Sequence, residues 1–323
     1  MPELWPSSVA APLAVLVALA LDRVLGEPPA RWHPVVAMGH YLSFMGRRIA
    51  PLTDAPDKRP AIRFAAGAFA WSLGAAFCAT LAGALAWALA SWPWWIQALA
   101  LGALLKPMLS WRMLRDEVSA VETALAESLP AGRERLAWLV SRDVTHLNEA
   151  EVRESAIETL AENLNDSVVA PLFWFVVAGL PGAALYRFAN TADAMWGYLG
   201  ERNGRDWTWA GKWAARADDV LSWLPARITA ALLAVPGGWQ GLRALPGQAG
   251  VTPSPNGGWP MAAMALALNV RLAKPGVYTL HPTGRSPTLA DTVQALRFSA
   301  RVVGGLAAFA IAAALFTGWR DYS

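Results

Sequence analysis

The sequence predicts an all-α, polytopic integral membrane protein with about four to six membrane-embedded helices, some of them re-entrant, joined by cytoplasmic helical segments. Three observations predict it. Of 323 residues, 55% are hydrophobic and only 16% charged, with 18 Trp and a mean hydropathy of +0.31, a composition well away from that of soluble domains. Phe64 to Leu105 carries no charge at all, roughly twice the length one span needs. The basic residues gather in the segments between apolar stretches, as the positive-inside rule requires of a multi-span chain.

The elements follow in order within one membrane-embedded domain, 1–323. Residues 4–21 are uncharged and read as a first span, retained as a helix because no basic region precedes it and Asp22-Arg23 stand where a cleavage site would need small residues. Residues 64–90 and 94–111 read as a helical hairpin, turned by "SWPWW" (Ser91 to Trp95), whose Trp side chains suit an interface. Residues 302–319, fenced by Arg301 and Arg320, make a last span. Two further stretches read either as spans or as re-entrant helices: 167–189, interrupted at Pro181-Gly182, and 219–236, with Arg227 in its middle.

Orientation follows from charge. Arg23, Arg31, Arg47, Arg48, Lys58, Arg59 and Arg63 precede the hairpin, whose turn has no basic residue, so the polar segments 22–63, 112–166, 190–218 and 237–301 are expected in the cytoplasm. Arg205 and Arg271 would then share a side, which favours re-entry of the two uncertain stretches. A net charge of +3 without a basic stripe argues against a nucleic-acid partner. The single Cys78 lies in an apolar run, which rules out an internal disulfide.

Between Glu149 and Asp166 the apolar residues Val152, Ala156, Leu160 and Leu164 repeat at helical spacing, while Glu154, Glu158 and Glu162 stand one turn apart. Glu149 and Glu151 read as a solvated face. Glu158, Glu162, Asn163, Asn165 and Asp166 abut the apolar stretch, where unopposed carboxylates repel one another; hard oxygen ligands around a Mg²⁺ that carries a phosphorylated substrate would relieve this. Other polar islands are "RDVTHL" (Arg142 to Leu147), "NTADAMWGY" (Asn190 to Tyr198) with Asn190 and Asp193 one turn apart, "ARADDVLSWLPAR" (Ala215 to Arg227), and "SPNGGWP" (Ser254 to Pro260). The last is a rigid turn before a helix, suited equally to an anion and to plain chain reversal.

Taken in order, "LGEPP" with "HPV" (Leu25 to Val35), "RD" followed by a Thr and a Leu, "AEN..D..VAPLFW", "NT.D.M.GY", "R.DD...W.PAR" and "SPN.GWPMAAMA" resemble the CobD/CbiB family of cobalamin biosynthesis, adenosylcobinamide-phosphate synthase, from about Asp22 to Lys274. The resemblance implies an amide-forming ligase of the cell inner membrane that uses ATP and Mg²⁺ to join adenosylcobyric acid to (R)-1-aminopropan-2-ol or its phosphate. It implies Glu162 and Asp166 as metal ligands with Glu158 beside them, Asp193 and Asp219 as further ligands or amine orienters, and Arg142, Arg216 and Arg227 as anion contacts. Asn163, Asn190, Asn256 and Trp259 would bind substrate, and other cobalamin-assembly enzymes of the membrane would be partners. The residues alone also admit a membrane sensor or regulator of the AmpE type, or a transporter. A transporter would need ionisable groups inside the spans, and Phe64 to Leu105 has none.

Overall fold

A computed structural model describes residues 9–53, 59–239 and 241–322. The start of the expected 4–21 span, Leu4 to Ser8, and Lys58 lie outside the described residues. The chain is mainly helical: α1 (Ala10–Leu25), α2 (Pro34–Ile49), α3 (Pro60–Leu89), α4 (Trp94–Leu105), α5 (Trp111–Glu127), α6 (Leu129–Leu136), α7 (Glu149–Leu164) and α8 (Ala170–Trp196) come first. They are followed by a hairpin of β1 (Glu201–Arg202) and β2 (Arg205–Asp206), then α9 (Lys212–Ala234), α10 (Leu245–Ala249) and α11 (Gly258–Leu268). A second antiparallel hairpin, β3 (Leu272–Lys274) and β4 (Tyr278–Leu280), precedes α12 (Leu289–Tyr322).

The two hairpins depart from the all-α expectation, and both have local causes. Asn203 and Gly204 take positive φ, 53° and 72°, as a tight Asn-Gly hairpin turn demands. Lys274-Pro275-Gly276-Val277 puts Pro at the second and Gly, φ 73°, at the third position of a turn closed by Val277 N–H to Lys274 C=O at 2.9 Å, the pattern of a type II turn.

Among the described residues three helices are long and apolar enough to cross a membrane: Pro60–Leu89, Glu149–Trp196 and Leu289–Arg320. The second is not one rod. Its backbone widens into a π-turn at Asn165–Val169 and breaks inside α8 at Ala178 and Gly179, where Gly179 has φ 64° and ψ −159°. The interruption expected at Pro181-Gly182 therefore falls just before it: glycine takes the left-handed conformation and Pro181 starts the next helical stretch, where its missing N–H is harmless. The 94–111 stretch is shorter than expected. Helix α4 has 12 residues, about 18 Å of rise, and ends at Leu105.

The chain divides into two compact units, Met1–Leu109 with Ala170–Ser222 and Phe309–Ser323, and Ser110–Val169 with Trp223–Ala308. In the first, α1 packs along α4 and α3 along α8. Small residues permit the approach: a Cβ on Gly102 would stand 2.6 Å from Val17 Cβ, and one on Gly74 2.6 Å from Tyr41 Cε1. Around Gly74 an aromatic core forms, with Trp71 edge-on to Phe188 at 6.0 Å and Trp196 stacked on Trp207 at 6.1 Å. The first unit also holds the ends of the "LGEPP" and "HPV" motifs. Buried Lys106 lies 3.4 Å from Asp22 and 3.2 Å from Glu27, and His33 Nε2 is 2.9 Å from Glu27. Burial raises the Glu27 carboxyl, but His33 and Lys106 outweigh it and hold the group below its ordinary value.

The second unit is built on α7. Its Val152, Ala156, Leu160 and Leu164 are fully buried, the face the spacing predicts, each larger side chain contributing about 1.5–3 kcal/mol. Asn148 and Glu151 close a reciprocal capping box, Glu151 N–H to Asn148 Oδ1 at 3.0 Å and Asn148 N–H to Glu151 Oε2 at 2.7 Å. Arg153 joins Glu149 at 2.6 Å and buried Glu122 at 3.1 Å, and the Thr292 hydroxyl donates to Glu122 at 2.5 Å. These bonds tie α5, α7 and the start of α12 together.

Candidate active site

The polar centre of the second unit is a ladder of three carboxylates on α7. Glu154, Glu158 and Glu162 recur every fourth residue and so project from one side of the helix. Glu154 is 0% and Glu158 4% exposed, and charges this far from water need partners. Glu154 Oε1 takes bonds from Arg271 Nη2 at 3.0 Å and Nε at 3.3 Å. Glu158 Oε2 accepts from Arg142 Nη2 at 3.0 Å, and Arg142 also donates to the Ser155 hydroxyl at 2.6 Å. Arg142 arrives from the loop before α7 and Arg271 from the start of β3, so the loop and the hairpin both converge on the helix.

The last rung differs. Glu162 lies against the turn that precedes α11: a Cβ on Gly257 would stand 2.7 Å from Glu162 Oε1, so glycine there leaves a cradle around the carboxylate. Beside Gly257, Asn256 Oδ1 accepts from Arg227 Nη1 at 3.1 Å. Arg227 is held flat between Trp223 and Trp259, at 4.3 and 4.6 Å from the ring centroids, and donates to the Trp223 carbonyl at 2.6 Å. The turn that its Pro and Gly residues singled out thus joins an arginine, an amide and a carboxylate. Tyr278, at the head of β4, closes this end. Its hydroxyl lies 3.7 Å from Met261 Sδ and faces Glu158 and Glu162. Burial first, then those two carboxylates, push the hydroxyl well above the ordinary tyrosine value.

The remaining expected residues fall in two groups. In the second unit, Asp166 sits in the π-turn after α7 and accepts from Asn165 Nδ2 at 2.8 Å, while Thr229 donates to Asn165 Oδ1 at 3.0 Å; such turns recur at functional sites. Asn163 Nδ2 bonds back to the Thr159 carbonyl at 3.0 Å, which spends one of its donors on its own helix. Asn190, Asp193, Arg216 and Asp219 belong to the first unit. There Asp193 and Asn190 are half-buried on α8, with the Asp193 carboxylate packed against Gly197, and Arg216 is exposed on α9.

Among the described residues no three His, Cys, Asp or Glu side chains converge as a metal-holding group. The set Glu158, Glu162 and Asp166 is therefore not assembled as such, because Glu158 is turned to Arg142. Mg²⁺ commonly takes one or two carboxylates and fills its shell with water and substrate phosphates; of the expected ligands, Glu162 lies against Gly257 and Asp166 stands four residues on, in the π-turn.

Sequence reasoning missed Arg271, Glu154, Gly257 and Tyr278 as members of this site. For Glu154 a signal existed, its place one turn before Glu158. Arg271 and Tyr278 had none, since they reach α7 from more than a hundred residues away.

The chain matches the family model described as CobD/Cbib protein over residues 15–303. It is 42% identical to the cobalamin biosynthesis protein CobD of Chromobacterium violaceum, over 94% of this chain and 96% of that one. It is likewise 42% identical to the probable cobalamin biosynthesis protein CobD of Methanothermobacter thermautotrophicus, over 82% and 85% of the two chains, and 40% identical to that of Thermococcus kodakarensis, over 90% and 91%. No solved structure matches. The order of the motifs, the family match from residue 15 to 303 and this end-to-end identity agree, and the chain belongs to the CobD/CbiB family.

Proposed function

We propose that this chain acts in cobalamin biosynthesis as an ATP-dependent amide-forming ligase, joining the free propionate of adenosylcobyric acid to (R)-1-aminopropan-2-ol or its O-phosphate. The observation that carries the reading is the α7 ladder, acid residues opposed by Arg142 and Arg271 and ending at Glu162 beside Arg227 and the Asn256-Gly257 turn, in a chain of this family. A carboxylate is a poor acyl donor at neutral pH. Its oxygen attacks the γ-phosphorus of ATP, ADP leaves, and an acyl phosphate forms. The amine nitrogen then adds to the acyl carbon, inorganic phosphate leaves with the former carboxylate oxygen, and the ammonium protons pass to solvent or to a nearby carboxylate.

The residues divide the work. Arg227, Arg142 and Arg271 offer positive charge to the phosphates and to the oxyanion that develops. Glu162 and Asp166 would hold Mg²⁺, which neutralises phosphate charge in transfer. Asn163, Asn256 and Trp259 offer amide and indole contacts to the corrin periphery. The motif-bearing segments face the cytoplasm, where ATP is present, in the inner membrane of the cell. The test is ATP consumption by the purified full chain in detergent. Turnover that requires both cobyric acid and an aminopropanol compound supports the reading; ATP hydrolysis indifferent to either, or none at all, overturns it.

A further inference from the structure

The first unit holds a polar hollow that the ligase chemistry does not use. Its volume is about 330 Å³, and it is lined by Arg47 near the end of α2, Trp196 at the end of α8, and Arg202, Asn203, Arg205 and Trp207 in and beside the β1–β2 hairpin. No carboxylate is among the described residues that line it. The register of the hairpin sorts the charges. Arg202 pairs with Arg205, and Glu201 with Asp206; directly opposed residues share a face of a two-stranded ribbon, so the two arginines project on one face and the two acids on the other. Asp206 spends its Oδ1 on the Thr208 N–H and hydroxyl, at 2.9 and 2.6 Å. Like charges directly opposite one another destabilise a hairpin, and among the described residues Arg47, Arg202 and Arg205 make no ion pair that would relieve it. The walls are fixed by other contacts. Arg205 Nη1 donates to the Ala50 carbonyl at 2.6 Å, and the Arg202 guanidinium lies 4.0 Å from the centre of the Tyr198 ring. Asp206 N–H donates to the Pro51 carbonyl at 3.0 Å and Thr53 N–H to the Gly204 carbonyl at 3.1 Å. Gly46 lets α2 close on the stacked indoles, since a Cβ there would stand 2.8 Å from Trp207 Cη2 and 2.9 Å from Trp196 Nε1.

We propose that this hollow binds a phosphate anion, supplied by the head group of an anionic membrane lipid or by a soluble phosphate ester. Guanidinium forks match phosphate oxygens in pairs, and a concave site lined by one sign of charge draws in the other. At about 330 Å³ the hollow stands at the small end of the roughly 300–1,000 Å³ that ligand sites occupy, a size for a head group or a diphosphate. Trp196 and Trp207 give it an apolar wall beside the charges. The basic residues of 22–63 assign Arg47 to the cytoplasmic side, whose leaflet carries anionic lipid. The proposal does not rest on the ligase reading, because none of these residues belongs to the α7 site.

The test is native mass spectrometry of the full chain in detergent at low ionic strength, where such contacts are least screened. Phosphatidylglycerol and pyrophosphate are the probes, and zwitterionic phosphatidylcholine is the control. Wild type is expected to retain phosphatidylglycerol, pyrophosphate or both, and to hold phosphatidylcholine about tenfold more weakly. Arg47→Gln and Arg202→Gln should each weaken the retained probe about tenfold, as loss of one charge-assisted bond does. Arg47 is exposed, so its replacement leaves the core intact. Arg47→Lys, which keeps the charge, and Arg48→Gln, which removes the neighbouring charge outside the hollow, should stay within about threefold of wild type, an effect below that of one such bond. Retention of the lipid alone assigns a head group; retention of pyrophosphate, with or without the lipid, assigns a soluble phosphate ester. Neither probe held above phosphatidylcholine, no loss in Arg47→Gln and Arg202→Gln, or an equal loss in Arg48→Gln overturns the proposal.

Discussion

Helix α3 keeps large apolar side chains outside, and α7 keeps charged ones inside. Phe69 and Phe77 are 70% and 67% exposed, whereas Glu154 and Glu158 are 0% and 4% exposed. In water each helix would be inverted, so each declares its environment. The outer face of α3 suits hydrocarbon, where all backbone bonds are made within the helix and apolar side chains cost nothing to expose. The inner face of α7 holds its carboxylates because arginines from distant segments answer them. The comparison teaches that hydropathy marks helices long and apolar enough to cross a membrane, while charge alone said only that something had to neutralise α7, without saying what.

The strongest way to break that comparison is to remove an answering cation. Arg142→Met leaves Glu158 buried without its guanidinium and is expected to cost about 3–5 kcal/mol, seen as a large drop in thermal stability in detergent. A loss under about 1 kcal/mol would mean that the pair is not buried in solution as it is here. Next come Glu162→Gln and Asp166→Asn. Each is expected to lower cobinamide formation by about 100-fold or more, in cells lacking their own synthase, through lost transition-state stabilisation, with the protein in the membrane unchanged by blot. Near-normal activity in both would remove Glu162 and Asp166 from the chemistry.

On the other side of the comparison, Phe77→Lys places a charge on the exposed face near the middle of α3 and is expected to oppose insertion by about 2.5–3.5 kcal/mol, measured by a reporter of membrane integration. Tolerance equal to that of Phe77→Leu would show that this face meets water. The smallest effect is expected from Glu151→Gln. Glutamine keeps the reciprocal cap on α7, so stability should change by less than about 0.5 kcal/mol and activity stay near wild type; a marked loss of activity would give Glu151 a chemical role that its capping bonds do not account for.

Orientation sharpens the same contrast. With Cys78→Ala as background, Arg205→Cys and Arg271→Cys should both resist a membrane-impermeant thiol reagent applied to intact cells. Labelling of Arg205→Cys from outside would end the re-entrant reading of 167–189.

Local chemistry was legible in the sequence wherever it acts over a few residues. The uncharged run to Leu105 and the apolar spacing of Val152 to Leu164 are set by neighbours within one or two helical turns, because hydropathy and helical spacing are short-range; the Asn148-Glu151 cap and the Asn203-Gly204 turn are just as local, yet sequence reasoning passed over them. The order of the motifs determined the family. Tertiary structure alone decided which cation answers which carboxylate. Arg271 meets Glu154 across 117 residues of chain, and Arg142 meets Glu158 across 16. It also decided that α4 stops at Leu105, just before Lys106, whose ammonium Asp22 and Glu27 receive, and that α8 breaks at Gly179. A buried charge is tolerated only where a partner arrives in space, and no pattern along the chain encodes the distance at which two remote segments will meet.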